Sequence, residues 1–464
     1  MAATATTRTD RSMSLMVLAW PIAIELLLQF LMGTADSMMV SSLGDDAVSA
    51  VGLSNQVLRS LLTVFVLING GAGIVIARRW GAGNPEAARR AAAMALKVGV
   101  IGGAVISVLF AIGAGDIVRL MGAPAEVAPM AATYLAMIGA CSILTEINMM
   151  TTVMIRNTGN TRGPMMIAIG MNIVHIILNY GFIFGKLGLP QLGIEGLGVS
   201  TIISRSLAMA AGIWLLLRSF PVKFQRSDWR GFDKPILKEM VGIGLPNLGT
   251  AASWGYSQIV QLAIISSLGA VQLAANSYFN IIQQLPWLIG QSIGMAVQIQ
   301  VGQKYGAKLY DEVYKAPYRA AALGVLPTIA LAILLYLFGD STLRWFTTDE
   351  AIITAVLPLF FWCIIWQPMR TWTYAFMQSM NAVGEAKFVA LNTVLGMWIF
   401  ATGGAYVFGV LLDMGVMGAL IGLMLDELFR AVMVGWRWKG RRKLPRQSGS
   451  GITINKADGA SVQT

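Results

Sequence analysis

Two stretches decide the fold: WPIAIELLLQFLMGTADSMMVSSLG, residues 20–44, and LPNLGTAASWGYSQIVQLAIISSLG, residues 245–269. Each is an apolar run long enough to cross a ~30 Å hydrocarbon core as a helix. At a constant offset of 225 residues, Pro21 falls on Pro246 and SSLG 41–44 on SSLG 266–269. The same offset brings Gly81 and Ala82 onto Gly306 and Ala307. It also lays RNTGNTR (156–162) over NAVGEAK (381–387), matching Gly159 with Gly384 and Arg162 with Lys387. Isolated tetrapeptide matches are common in apolar sequence. One offset kept across four landmarks argues for a duplicated half.

Outward from these stretches, 56% of the 464 residues are hydrophobic and 12% charged, against about 25% charged in soluble domains. That excludes a soluble protein. Glycine (50) and methionine (27) are abundant, which suits close helix approach and adaptable apolar surface. The hydrophobic pattern predicts twelve spans, at 14–40, 50–77, 91–114, 127–152, 163–186, 196–218, 236–266, 271–300, 317–338, 351–379, 386–410 and 414–436. Pro21, Pro246 and Pro286 are the expected kink points. Six spans per half leave both halves in one orientation, so the repeat is parallel. The expected architecture is an all-α membrane protein of two six-helix lobes. The N-lobe covers 14–218, a cytoplasmic linker 219–235 and the C-lobe 236–436, with a short segment 1–13 before them and a basic, disordered tail 437–464 after.

Basic residues gather in alternate loops: RRWGAGNPEAARR (78–90), RNTGNTR, the linker, QKYGAKLYDEVYK (303–315) and RWKGRRKLPR (437–446). The positive-inside rule then puts both termini in the cytoplasm of a multi-pass inner-membrane protein. The net charge of +11 is this topology signal, not a nucleic-acid face. The N-terminus leads into a full-length span, and no removable signal peptide is read there. Cys141 and Cys363 lie in apolar runs without ligand spacing, which predicts packing residues and no metal site. No GxxxxGK[ST] loop and no catalytic triad is present, so neither an enzyme nor a direct nucleotide-driven pump is expected, and no cofactor. Paired lobes are the signature of alternating access, which a pore does not need.

Intramembrane ionisable residues are the functional candidates, because each costs at least ~2.5 kcal/mol unless it faces a cavity or a partner. Asp36 leads them. Glu25, Gln29 and Asp36 fall within about 40° on one helical face, a polar stripe; a structural acid satisfied by neighbours is the competing reading. His175, the only histidine, and Asn179 share a face at i and i+4. Glu146 and Asn148 are expected to join the same polar network. Arg156 and Arg162 read as topology determinants at the end of span four. In the C-lobe, Trp254, Tyr256, Gln258, Gln261, Asn276, Tyr278, Gln284 and Trp287 predict an aromatic and amide cavity lining without fixed charge, suited to flat organic cations. Asp36 maps onto Gln261 in the repeat, so the ionisable role is expected in the first lobe alone. Arg59, Arg205 and Arg370 lie inside spans with partners that sequence does not assign.

The segments WPIAIELLLQFLMGTADSMMVSSLG, GAGNPEAARRA, RNTGNTRGPM and HIILNYGFIFGKLGLPQLGIEGLGVST resemble, in order, those of the multidrug and toxin extrusion (MATE) family. The resemblance extends across all twelve spans, with the second half more diverged. It implies a V-shaped fold that exports organic cations and drugs, driven by inward H+ or Na+. It also implies that Asp36, Asn179 and Thr201 couple the ion, with His175 where the family usually has Asn, and with Na+ binding at Asp36 one of the two options. Family members with carboxylates in spans seven and ten differ from this chain, which has Trp254 there and Arg370 with Thr371. The expected partners are small organic cations and the bilayer; no nucleic acid or obligatory protein partner is expected, and the carrier is expected to be a monomer. The alternative is a lipid-linked saccharide flippase of a related branch, against which twelve spans and the acid in span one argue. A channel or membrane-embedded enzyme is the remaining alternative.

Overall fold

The computed structural model describes residues 14–441; the predicted segment 1–13 and the tail from 442 onward lie outside them. Among the described residues the protein is helical, with no strand. The predicted spans correspond to Leu15–Ser41, Asp45–Leu62 with Phe65–Gly81, Pro85–Leu120, Ala128–Ala140 with Ser142–Asn157, Arg162–Phe184 and Ile194–Ser219 in the first lobe. In the second lobe they are Lys234–Ser266, Ala270–Ile282 with Gln284–Gly306, Tyr310–Leu337, Glu350–Ala382, Ala386–Leu411 and Gly415–Lys439. Seven of these are apolar and long enough to cross a membrane as single helices, and two bent pairs would make nine. The others carry more polar residues, many of which face the interior described below.

Several spans are broken in ways the periodicity does not foretell. Span four bends by 43° at Cys141. Span eight breaks at Gln283, just before Pro286, whose missing N–H leaves the carbonyl four residues earlier without a helical donor. Pro21 and Pro246 instead sit inside continuous helices. Span eleven passes into π-helical turns at Met397–Thr402 and Ala405–Leu411, a form that gathers at functional sites. Loops are set by capping. Asn84 accepts the Ala87 N–H with Pro85 at the first helical position, and Asp233 and Asp349 cap spans seven and ten.

Two buried clusters form the lobe cores. One gathers Val40, Val57, Phe110, Leu135 and Ile183 in the first lobe, the other Phe279, Leu335, Phe360, Cys363 and Leu420 in the second. Two further clusters cross between lobes. The start of span one (Leu15, Leu18, Ile22) is embedded among Ile293, Val297, Ala320 and Phe376, while Ile236, Met240 and Ile243 of span seven pack on Ala72, Ile76 and Met154. Each lobe thus lends the other its first helix. Beyond these contacts the far halves of spans one and seven each present an exposed face, with Leu31, Met38, Tyr256 and Ile259.

At the end carrying the basic loops the lobes close through contacts that obey the repeat. Arg78 Nε donates to the Ala382 carbonyl and Gln303 Nε2 to the Asn157 carbonyl, both at 2.9 Å. Gly81 packs on the Gln303 carbonyl and Gly306 on the Arg78 carbonyl, so closely that a methyl group on either would overlap backbone. Gly384 stands beside the Arg78 guanidinium as Gly159 stands beside the Gln303 amide. Every member of one set is the repeat mate of a member of the other. An interlobe ion pair, Arg79–Glu239 at 2.9 Å, adds to this closure.

The segment between spans six and seven is docked. Arg89 and Asp228 form a buried ion pair at 3.2 Å, Arg89 also donates to the Lys223 carbonyl, and Lys97 donates to that of Gly231. Trp80, Phe220 and Phe224 meet edge to face along it, and Trp229 lies tilted against Phe224.

Candidate functional site

Asp36 is a quarter exposed, and span five delivers its partners from beneath. The i, i+4 spacing puts His175 and Asn179 on one face of that helix, both buried. His175 Nε2 lies 2.9 Å from Asp36 Oδ1, Asn179 Nδ2 donates to the same oxygen at 2.8 Å, and Asn179 Nδ2 is 2.9 Å from His175 Nε2. The other imidazole nitrogen reaches Ser204 Oγ at 3.1 Å. A bare carboxylate oxygen and a bare imidazole nitrogen repel, so a contact of this length holds a proton between them, on one atom or the other. Arg205 and Tyr134 complete the electrostatic surroundings of Asp36, with Arg205 donating to Thr145 Oγ1 at 2.7 Å.

Other expected members do not join this cluster. Thr201 spends its hydroxyl on the Leu197 carbonyl of its own helix and touches the cluster only through its backbone oxygen, which accepts from Ser204. Glu25 shares the face of Asp36 but lies three turns away, ~16 Å along the axis. It pairs instead with Arg156 at 3.9 Å. Arg156, expected as a topology determinant, is thereby a buried wall residue of the cavity described next. Gln29 is exposed. Glu146 bonds Asn69, whereas Asn148, two residues on and so on the opposite face, stands beside Gly212. The polar stripe is therefore several separate sites.

A cavity of about 700 Å³ lies between the lobes, walled mainly by the second. Of the predicted lining, Trp254, Gln258, Gln261 and Trp287 face it. The first three recur at steps of four and three, which is one helical face. Tyr256, Asn276, Tyr278 and Gln284 do not line it: Tyr256 is exposed on the other side of span seven, Tyr278 packs on Phe346, and Asn276 accepts from Asn280. The expected absence of fixed charge is overturned. Asp426, Glu427 and Arg430 of span twelve and Arg370 of span ten all line the wall.

These charges are tightly organised. Arg430 binds Asp426 through Nε at 2.9 Å and Nη2 at 2.6 Å, and Nη2 reaches Glu427 at 2.9 Å. Gly396 leaves the room that Asp426 fills, one residue before span eleven turns π-helical. Arg370 is held between the faces of Trp287 and Trp366, at 4.0 and 4.5 Å, and donates to Gln283 Oε1 at 2.9 Å. Arg430→Ala strands two carboxylates in this wall and should lower stability by about 3–5 kcal/mol, read as a lower unfolding temperature in detergent. Adding Asp426→Asn and Glu427→Gln should restore most of it. An unchanged unfolding temperature for Arg430→Ala would refute this account of the cluster.

Among the described residues no His, Cys, Asp and Glu group of the kind that holds a structural metal is present, and both cysteines are free. The MatE family model matches this chain twice, over residues 21–181 and 248–407. The chain is 30% identical over 434 residues to the "Uncharacterized transporter YisQ" of Bacillus subtilis, covering 93% of this chain and 95% of that one. It is 27% identical over 451 residues to the "Probable multidrug resistance protein NorM" of Thermotoga maritima, covering 93% and 94%. Its fold is similar to the outward-facing conformation of a multidrug resistance MATE transporter of the MOP superfamily, with a TM-score of 0.85 at 21% identity over 92% and 96% of the chains.

Proposed function

Because this chain belongs to the MATE family, we propose that it is an inner-membrane antiporter that exports flat organic cations, driven by inward proton flow through Asp36. The observation that carries the reading is the 2.9 Å contact between Asp36 Oδ1 and His175 Nε2. The two groups bonded to Asp36 Oδ1 are nitrogens, from His175 and Asn179, an arrangement suited to sharing a proton. A proton arriving from outside moves onto the Asp36–His175 pair, loosens the Asn179 bond to the carboxylate, and favours the lobe arrangement that releases cargo.

The cavity supports the cargo class. Its amides and indoles offer stacking and hydrogen bonds, and Trp287 with Trp366 already clasps a planar cation, the Arg370 guanidinium. Asp426 and Glu427 supply negative charge that an amine exposed to Arg430 competes for. The basic loops support a cytoplasmic position for the closed end.

Everted membrane vesicles test this directly. An imposed pH gradient, at equal Na+ on both sides, should drive ethidium accumulation against its gradient, and each round of transport should dissipate the pH gradient. Accumulation driven by Na+ alone would overturn proton coupling, and no uphill flux under either gradient would overturn antiport.

A further inference from the structure

Glu146 of span four stands apart from the Asp36 cluster and is fully enclosed. Its Oε2 accepts one hydrogen bond, from Asn69 Nδ2 at 3.0 Å. Its Oε1 is buried without a partner, against Gly99 of span three, with Gly103 one turn on beside the Glu146 Cβ. The charged groups on the helices packed around it are engaged elsewhere. Lys97 bonds Gly231, Arg205 bonds Thr145, His175 bonds Asp36, and Arg156 of its own helix pairs with Glu25. An ionised carboxylate with a single amide donor and no facing cation is costly in such a place. A neutral acid needs an acceptor for its O–H. That acceptor is at hand: Asn69 Oδ1 is a second buried atom without a partner, on the same side chain that now donates.

Turning the Asn69 amide over exchanges its donor for its acceptor without moving the backbone. In one orientation Nδ2 serves the carboxylate; in the other Oδ1 receives the proton of the acid. The two ends of an amide have nearly the same shape, so the turn needs no extra room. Asn69 is also a wall residue of the interlobe cavity, and its neighbour Gly70 packs on Asn247 of the opposite lobe.

From this geometry we infer that Glu146 is a second proton-binding site, separate from Asp36, and that the Asn69 amide turns over to serve whichever charge state Glu146 holds. The proton adds to the carboxylate and leaves from it, with no other bond made or broken. The inference deepens the proton-driven reading and names a second carrier for it.

Infrared difference spectra of the purified full-length carrier in lipid, recorded as pH is raised, test it without any transport step. The wild type should lose a carbonyl-stretch band of a buried carboxylic acid as the acid ionises. Glu146→Gln should lack that band, and Asp36→Asn should keep it. In Asn69→Leu the band should shift in frequency and its midpoint should move to higher pH, because the ionised form loses its one donor. The Asn69→Leu arm stands alone if Glu146→Gln does not fold. A Glu146→Gln spectrum identical to that of the wild type, or a Glu146 band unmoved in Asn69→Leu, overturns the inference. The two proposals fail separately: Na+-driven export with this band intact removes proton drive at Asp36 but leaves the Glu146 site, and pH-driven export without it does the reverse.

Discussion

Asp36→Asn yields a folded carrier that no longer accumulates cargo uphill. Asparagine keeps the shape of the side chain and can still accept from Asn179, while the charge that the proton would neutralise is gone. The side chain is a quarter exposed and its partners are held by span five, so the change removes a desolvated charge and costs little stability. Under an imposed pH gradient, everted vesicles carrying the variant should accumulate ethidium no better than vesicles without the protein. Downhill exchange of labelled for unlabelled cargo should persist, and the unfolding temperature in detergent should match wild type. Wild-type accumulation by the variant would remove Asp36 from the coupling path.

Leucine at both Gly81 and Gly306 should keep the lobes from closing at the basic end. Each glycine faces a backbone carbonyl of the other lobe, which cannot turn aside as a side chain would. Overpacking costs about 1–3 kcal/mol per site, and ~1.4 kcal/mol is a factor of ten in a population. Two sites therefore bias the balance against this conformation by about thirtyfold or more. Transport should fall to background although the lobe cores, which these glycines do not enter, remain folded. A cysteine placed at Asn157 in the cavity floor should label from the basic side of the membrane in the double variant and resist labelling in the parent. Unchanged transport would mean that this closure is not part of the cycle. Single removal of the Arg78 or Gln303 side chain should be far milder, since each leaves the equivalent bond of the other lobe.

Much of this architecture is written in local pattern. Apolar runs and the loop charges give the spans, and the offset that joins Pro21 to Pro246 gives two like lobes. The same offset joins Arg78 to Gln303 and Asn157 to Ala382, yet no residue comparison reveals a kinship between arginine and glutamine here. Only the shared act of donating to a carbonyl does. His175 and Asn179 are legible because helical spacing puts them on one face. Thr201 is misleading, because a hydroxyl inside a helix has a nearer acceptor one turn back. The DELFR run at 426–430 is a plain signal of charge within an apolar span, but whether it meets the cavity depends on helix rotation and on the π-helical turns of span eleven. Neither is encoded in composition. The break at Cys141 carries no proline to announce it.

The matched charges around the cavity also bear on how the carrier responds to voltage. Three guanidinium groups in the cavity wall, on Arg156, Arg370 and Arg430, are balanced by the carboxylates of Glu25, Asp426 and Glu427. Carrying one unbalanced charge across the membrane involves about 2.3 kcal/mol per 100 mV. A wall that sums to zero does almost no electrical work as it swings. In the proton-driven reading the field is left to act on the charge that Asp36 and Glu146 gain or lose and on the cargo itself, and not on this wall.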